Sequence, residues 1–296
     1  MNAASPSLPL VGRYLERRWL PSAEVVALAR IEGRRLLCHP AFLVGLTLSV
    51  LMIVAGNSEN DGGLHMFLLS GFAFLPLAAG TLVVGNLAAL RSRRDATDEL
   101  YGTLPRPRSS RTAGQLLGLA WTLPASGFLV AAAYVAFGAG AEGGFVVNHI
   151  GARHSPAVVE LAQGPLMVVA FGAIGILLAR VAPSPIVAAL MIVAIWAVEI
   201  PTAVWGSAES TGAWLVPMSN HAMVQPGSWV PCKPGDTVPG CNLVLGYDVS
   251  GMTGHLIYLV GMTVLAGAAA LVGRRRRYPL AVLAAALVLA TALGVG

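Results

Sequence analysis

The stretch TLVVGNLAALRSRR, residues 81–94, joins the end of an apolar run to a cluster of arginines. The apolar run reaches back to Leu64, so it is long enough to cross the ~30 Å hydrocarbon core of a bilayer as a helix. Cationic residues beside a span stay on the cytoplasmic side of the membrane. The junction at Leu90 and Arg91 therefore predicts both a membrane-spanning helix and the side on which that helix ends.

All but two of the 19 Lys and Arg residues lie in groups beside apolar runs, and every group falls on the same predicted side of the membrane. The two exceptions, Arg153 and Lys233, lie in segments assigned to the opposite side. This asymmetry predicts a multi-pass protein of the cell inner (plasma) membrane with a cytoplasmic N-terminus. The grouped residues are Arg13, Arg17, Arg18, Arg30, Arg34, Arg35, Arg91, Arg93, Arg94, Arg106, Arg108, Arg111, Arg180, Arg274, Arg275, Arg276 and Arg277.

The composition supports this interpretation. Hydrophobic residues make up 56% of the 296-residue chain, charged residues make up 11%, and the mean hydropathy is +0.71. These values exclude an ordinary soluble globular domain. The net charge of +5 comes from groups that flank apolar runs, which is typical of topology signals and of contacts to anionic lipid headgroups. No nucleic-acid partner is expected.

Seven apolar segments are candidates for membrane-spanning helices. The expected fold is an all-α integral membrane protein, with a cytoplasmic segment in residues 1–39 and a six-span core in residues 40–273 that includes an outer segment, residues 206–253. Residues 274–296 hold a basic linker and a seventh span, for which a helix lying flat or re-entering is the alternative. The candidates are Pro40–Gly56, Leu64–Leu90, Ala113–Phe137, Gly164–Val181, Pro185–Trp205, Gly254–Val272 and Tyr278–Val295.

A further helix is predicted before the first span, in residues 22–39. Ser22 can cap its N-terminus, and apolar residues recur at helical spacing opposite arginines, although Glu32 interrupts the apolar face. This pattern predicts a helix in the headgroup layer, and a soluble linker with basic anchors is the alternative. Cys38, near the end of the helix, is expected to be an inert packing residue.

The longest predicted cytoplasmic loop, residues 91–111, contains signals for a short helix over Ala96–Tyr101. An acidic residue can cap this helix, two more suit the positive end of its dipole, and Gly102 can end it. A short stiff helix between two spans is suited to being held by a partner that transmits force, and an ordinary solvated connector is the alternative. The residues expected to couple to the partner are Asp95, Asp98, Glu99, Leu100 and Tyr101.

The loop sequence RDATDELYGTLPRPR, residues 94–108, resembles the loop between the second and third spans of type-2 ABC transporter permeases. The sequence EGRRLL, residues 32–37, which runs into Pro40, resembles the interfacial connecting helix of that family. A polar outer segment between spans five and six also fits, so the resemblance covers residues 23–272. The seventh span departs from the family's six-span pattern.

This resemblance implies a permease subunit of an ABC exporter, paired with a second permease copy and with ATP-binding cassette subunits that bind ATP and Mg²⁺. It also implies that the short loop helix docks on those subunits. Independently, the only lysine of the chain, Lys233, does not belong to a Gly-x-x-x-x-Gly-Lys-Ser/Thr motif, so no ATPase activity and no cofactor are expected in this chain. Amphipathic drugs, lipids or peptides are compatible substrates.

The outer segments contain cysteines and histidines. Cys232 and Cys241 bracket a short loop rich in Gly and Pro, which favours a disulfide, and two unpaired thiols or a metal pair are the alternatives. Five histidines fall on or near the outer face, where they are expected to be polar loop residues and not metal ligands. These are His65, His149, His154, His221 and His255.

Glu199 is the one carboxylate well inside a predicted span. Intramembrane acids are costly and face a cavity or a partner, so Glu199 could line the substrate path or carry a proton. A local hydrogen bond near the outer interface is the structural alternative. Two other functions stay open at this point: a proton-coupled secondary transporter that uses Glu199, and a non-enzymatic membrane sensor or scaffold that binds a ligand through residues 206–253.

Overall fold

The structure is a computed structural model that describes residues 22–56, 71–94, 108–136, 145–146, 153–154, 158–205 and 249–272. These residues are almost entirely helical. Short 3₁₀ turns, Phe72–Phe74 and Leu119–Trp121, precede α3 and α5. The elements are α1 (Ala23–Leu37), α2 (Pro40–Gly56), α3 (Leu75–Arg94), α4 (Arg108–Gly118), α5 (Thr122–Ala136), β1 (Phe145–Val146), β2 (Arg153–His154), α6 (Val158–Val181), α7 (Pro185–Trp205) and α8 (Val249–Leu271).

The first two helices form a bent pair. Ser22 accepts a hydrogen bond from the Val25 backbone N–H at 3.4 Å, so the predicted cap of α1 is confirmed. The chain then bends by 58° before α2, because a residue that precedes proline is disfavoured in the helical conformation and Pro40 follows His39. Cys38 lies in this break and is exposed, so the prediction that it is a packing residue is wrong.

The centre of the bundle is the crossing of α3 and α6. A Cβ atom on Gly85 would lie 2.6 Å from the Gly172 carbonyl oxygen, and one on Gly175 would collide with the Leu82 carbonyl oxygen. The helices approach this closely because both positions are glycine. The largest fully buried side chains of these two helices and of the turn before α3 are Phe74, Leu75, Leu77, Leu82, Met167, Phe171 and Ile176.

The other helices surround this central pair. Helix α8 packs against α6, α2 packs against α3, and α1 packs against α4. Large apolar side chains point outward from several of the outer helices, and Val54, Phe128, Val193 and Ile257 are each more than 60% exposed. An apolar exterior around a bundle of apolar helices is the surface expected to contact lipid.

Four of the described helical segments are long and apolar enough to cross a membrane by length and composition. These are Phe72–Arg91, Ser109–Ala136, Leu161–Val181 and Thr253–Leu271. The bent pair of α1 and α2 adds a fifth if it crosses as one unit, whereas the apolar part described for α7 is shorter. The chain is therefore an α-helical membrane protein.

Six of the seven predicted spans overlap described helices, but their bounds differ. Helix α3 continues to Arg94 instead of ending at Leu90, and α6 begins at Val158 instead of Gly164. Hydropathy marks where an apolar run begins and ends, whereas a helix can continue into polar residues beyond it. The small hairpin in which Phe145 lies opposite His154 was not predicted. The seventh span, Tyr278–Val295, lies outside the described residues, and the six-span core stays a prediction.

Candidate functional site at the arginine-rich end of the bundle

Glu32 faces the bundle, although it is the one acidic residue on the apolar face of α1. Its side chain is only 12% exposed. The same face of α1 is buried at Ala29, Gly33 and Leu36, which follow one another at helical spacing. A carboxylate removed from water is costly unless it is paired and hydrogen-bonded, so this position requires a cationic partner.

The partner of Glu32 is Arg91, one turn before the end of α3. Arg91 Nη1 donates to the two carboxylate oxygens of Glu32 at 3.1 and 3.2 Å. Arg35 Nη1 donates to the first of these oxygens at 3.3 Å, and the Arg35 side chain is 57% exposed. The inner ion pair therefore ties α1 to α3, while Arg35 reaches the carboxylate from the solvent-exposed side.

A narrow cleft lies beside this ion pair, between α1, α3, α4 and α6. Gln115 of α4 lines the cleft together with Glu32 and Arg91. Its Nε2 donates to the Ala88 carbonyl oxygen at 3.0 Å, whereas its buried Oε1 has no hydrogen-bond partner among the described residues. The cleft thus presents a carboxylate, a guanidinium group and an amide oxygen that can still accept a hydrogen bond.

A second polar contact ties α4 to α6 at the same end of the bundle. Arg180, in the last turn of α6, donates to Thr112 Oγ1 at 2.8 Å, and Thr112 is 2% exposed. Arg91 lies near the end of α3 and Thr112 near the start of α4, so the two contacts lie on either side of residues 95–107. The arginines of α1, α3, α4 and α6 that were predicted on one side of the membrane therefore belong to one end of the bundle.

His39 connects this end to the bend between α1 and α2. Its Nδ1 accepts a hydrogen bond from the Ala41 backbone N–H at 3.2 Å, which caps the start of α2. Partial burial lowers the pKa of His39, and the nearby positive charge of Arg91 lowers it further. Only a neutral imidazole can accept through Nδ1, so the lowered pKa and the capping bond favour the same protonation state.

A buried polar pair lies at the opposite end of α6. His255 Nδ1 is 2.6 Å from Gln163 Oε1, and the two residues are 2% and 3% exposed. The Tyr258 ring lies beside the imidazole, with 5.7 Å between ring centroids. The prediction that His255 is a polar loop residue is wrong, because α8 begins at Val249 and holds it inside the bundle. Gln163 and Arg180 are about 25 Å apart along α6 at ~1.5 Å per residue.

Most of the residues predicted to act in function lie outside the part of the chain that the structure describes. Glu199 lies on α7, and its role in a substrate path stays a prediction. Among the described residues, no group of three or more His, Cys, Asp or Glu side chains is arranged to hold a metal ion. Asp95, Asp98, Glu99, Leu100, Tyr101, Cys232 and Cys241 lie outside the described residues.

Sequence reasoning missed the pairs that Glu32, Thr112 and Gln163 form. One signal was available, because a single acid on the apolar face of an amphipathic helix predicts a buried partner of opposite charge. Nothing in the sequence distinguishes Arg91 from its neighbours Arg93 and Arg94 as that partner. The choice depends on how α3 is rotated against α1, which is a property of the packed bundle.

No protein-family model matches the sequence, and no curated protein matches it. The fold and the site define the class of protein as an α-helical membrane protein with one arginine-rich end.

Proposed function

We propose that this chain is the membrane-spanning permease subunit of an ATP-driven ABC transporter and that it exports an amphipathic small molecule, lipid or peptide. ATP and Mg²⁺ bind to separate ATP-binding cassette subunits, and a second permease copy completes the transporter. The arginine-rich end and the N-terminus face the cytoplasm, and the protein resides in the cell membrane.

The observation that carries this proposal is the anchoring of the helices on both sides of residues 95–107. On one side, Arg91 of α3 is paired with Glu32 of α1. On the other side, Thr112 of α4 is hydrogen-bonded to Arg180 of α6. A partner that binds the intervening loop therefore acts on α1, α3, α4 and α6 together.

The close packing of α3 and α6 gives this anchoring a mechanical role. Their crossing at Gly85 and Gly175 leaves no space between the two backbones, so the helices are expected to move together under load. A force applied at residues 95–107 is then expected to change the tilt of the central pair instead of being absorbed by the loop. Alternating access in the transporter would follow from this change of tilt.

Purification of the tagged full chain from its native membrane tests the proposal. The expected result is a complex that contains an ATP-hydrolysing subunit, identified by mass spectrometry and by vanadate-sensitive ATPase activity. Replacing Asp98, Glu99 and Tyr101 together with alanine is expected to reduce substrate-stimulated ATPase activity at least tenfold, whereas Thr97→Ala in the same loop leaves it unchanged. An active carrier purified without a nucleotide-hydrolysing partner would contradict the proposal.

The orientation has its own test, because Cys38 is exposed at the bend between α1 and α2. In a chain that carries Cys232→Ser and Cys241→Ser, a membrane-impermeant maleimide is expected to label Cys38 in inside-out vesicles. Intact cells or right-side-out vesicles are expected to give no labelling until the membrane is permeabilised. Labelling from the outside would invert the proposed topology.

Energy coupling separates this function from the proton-coupled alternative. Transport into inside-out vesicles is expected to require ATP and to persist when an ionophore collapses the proton gradient. Glu199→Gln is expected to leave the requirement for ATP in place. Transport that needs no ATP and stops with the proton gradient would instead identify a secondary transporter.

A further inference from the structure

The outward face of α1 is cationic. Arg30, Arg34 and Arg35 are all exposed there, and Ile31 lies among them with 51% of its surface exposed. These four residues form the α1 basic face. Three exposed arginines around one apolar side chain form a surface that favours an anionic ligand with an apolar part.

The acids of α1 leave the charges of Arg30 and Arg34 uncompensated, whereas Arg35 shares the carboxylate of Glu32 with Arg91. Glu32 is turned inward, and its two carboxylate oxygens already accept hydrogen bonds from Arg91. Glu24 lies in the first turn of α1, about 9 Å along the helix axis from Arg30 at ~1.5 Å per residue. On the turns of α1 that adjoin Arg30 and Arg34, the carboxylate of Glu32 is therefore already paired, and it is not available to these two arginines.

The spacing of the arginines suits a phosphate group. Arg30 and Arg34 are four residues apart, so they lie one above the other on the helix surface, about 5–6 Å apart at their Cβ atoms. Guanidinium groups bind phosphate oxygens through paired N–H donors, a geometry that a single ammonium group cannot offer. Two neighbouring guanidinium groups can therefore share one phosphodiester.

The apolar residues near the α1 basic face indicate the source of this phosphate. Helix α2 follows after the 58° bend, and its first two turns already expose Leu43 and Val44, which are 47% and 58% exposed. Exposed apolar residues thus begin where the basic residues stop, as they do where a protein passes from lipid headgroups into acyl chains. Ile31 extends this apolar surface onto α1 itself.

The α1 basic face is also held in place by the bundle. A Cβ on Gly33 would collide with the Trp121 ring, so the backbone of α1 lies directly against the indole. Leu28 packs against Gly114, and Glu32 is paired with Arg91. A ligand therefore meets arginines on a helix that is already positioned, and this lowers the ordering cost of binding.

We propose that the α1 basic face is a docking surface for anionic phospholipid headgroups, with the phosphate held by Arg30 and Arg34 and the lipid glycerol region against Ile31. The proposal does not depend on the transport function, since it concerns only the helix and the lipid beside it. Zwitterionic lipids bind more weakly there, because their headgroup carries an ammonium that the arginines repel.

Native mass spectrometry of the full chain in neutral detergent tests the proposal, with phosphatidylglycerol and phosphatidylcholine of the same acyl chains as probes. Phosphatidylglycerol is expected to bind at least tenfold more tightly, with an affinity that falls as the salt concentration rises. Arg30→Gln/Arg34→Gln is expected to weaken its binding about thirtyfold, or about fivefold for each arginine. The phosphatidylcholine affinity is expected to change less than twofold.

The matched control is Arg153→Gln/Lys233→Gln, which removes the same net charge from segments predicted to lie on the opposite side of the membrane and is expected to keep the phosphatidylglycerol affinity. Both variants must show the wild-type elution volume and helical circular dichroism, which is expected since Arg30 and Arg34 are exposed and outside the packed face. Equal binding of the two lipids would overturn the proposal, as would equal loss in the two variants.

Two further competitors identify the other possible occupants. Inorganic phosphate at the same concentration as the lipid headgroup is expected to leave phosphatidylglycerol bound, and displacement would show that the face takes a free anion. Polyglutamate is expected to compete only at much higher charge concentration. Competition at equal charge would assign the face to an acidic protein and would overturn the lipid assignment.

Discussion

The two ends of α6 carry polar clusters of opposite character. At one end the charged side chain of Arg180 is hydrogen-bonded to Thr112, and the Glu32–Arg91 ion pair lies at the same end of the bundle. At the other end Gln163 faces His255 in a cluster that is almost completely buried. The two are separated by about 25 Å of helix, close to the ~30 Å thickness of the hydrocarbon core.

This difference shows how one bundle can meet two environments. The charged end keeps part of its surface in contact with water or headgroups, since the side chain of Arg91 is 38% exposed and that of Arg35 is 57% exposed. The pair of Gln163 and His255 is sealed inside, so each polar group must find its partner within the protein. The first cluster positions charge at a boundary, whereas the second joins α6 to α8.

The largest expected effect on stability comes from the crossing of α3 and α6, between the two polar clusters. Gly175→Ala places a methyl group against the Leu82 carbonyl oxygen, a backbone atom that cannot move aside. We expect a loss of about 3 kcal/mol of unfolding free energy, at the upper end of what overpacking costs. Urea- or SDS-induced unfolding in detergent micelles, followed by tryptophan fluorescence, measures this loss.

Gly261→Ala in α8 is the matched control, because a Cβ there meets no atom within 4 Å. Alanine is a better helix former than glycine, so this change is expected to be neutral or to stabilise by up to about 1 kcal/mol. Equal stability of the two variants would show that the α3–α6 crossing is not as close as described.

The next largest effect is expected at the charged end of the bundle, at the ion pair of Glu32 and Arg91. Glu32→Gln is expected to cost about 2 kcal/mol, because it removes the charge that pairs with Arg91 at a position that is only 12% exposed. Arg35→Gln, which touches the same carboxylate from an exposed position, is expected to cost less than about 0.5 kcal/mol. A double-mutant cycle of Glu32→Gln with Arg91→Gln measures the coupling, and additive losses would refute the pairing.

The buried pair of Gln163 and His255 should respond differently to both mutation and salt. Gln163→Leu removes the oxygen that faces His255 Nδ1 and is expected to cost about 1–2 kcal/mol. Raising the salt concentration should leave this loss unchanged, whereas it should reduce the loss caused by Glu32→Gln. A salt dependence shared by both variants would contradict the contrast between the two clusters.

The smallest expected effect is a pH dependence at the bend. Burial and the charge of Arg91 lower the pKa of His39, so the unfolded chain takes up the proton first as the pH falls. The stability contributed by neutral His39 is therefore complete above pH 6.5, the ordinary value, and is lost as the pH drops toward the folded pKa. Thermal unfolding between pH 8 and pH 5 measures this slope.

Two variants isolate the cause of that slope. His39→Asn keeps a side chain that can cap α2 but does not titrate, so the part of the slope due to His39 disappears. Arg91→Gln removes the charge that lowers the pKa and makes the slope shallower. An unchanged slope in His39→Asn would exclude His39 as its source.

The helices were largely predictable, because a membrane-spanning helix requires a long run of apolar residues that is visible in the sequence. Apolar runs such as Ala113–Phe137 overlap α4 and α5, and the break before Pro185 falls where Pro183 prevents the helix from continuing. The 3₁₀ turn Leu119–Trp121 was not predictable in this way, because hydropathy does not indicate where the helical pitch changes. The cap at Ser22 was also predictable, because a capping residue is recognised from the few residues around it.

The site was less predictable, because it consists of contacts between distant positions. Glu32 and Arg91 are 59 positions apart, and Gln163 and His255 are 92 apart. A single sequence shows that Glu32 needs a partner, but the partner depends on the rotation of each helix about its axis. The loop predicted to couple to an ATPase, residues 95–107, lies between Arg91, which pairs with Glu32, and Thr112, which is hydrogen-bonded to Arg180, and its role stays a proposal.

The two-residue break before Pro40 makes α1 a lever. Helix α1 has 15 residues and is therefore about 22 Å long at ~1.5 Å per residue. Opening or closing the 58° bend by roughly 10°, with α1 and the packed helix α4 moving together, would displace the N-terminal end of α1 by about 4 Å, more than the reach of one hydrogen bond. A slight flexing at Cys38 and His39 is thus magnified at Ser22 into a displacement that a distance-measuring label on that residue would register.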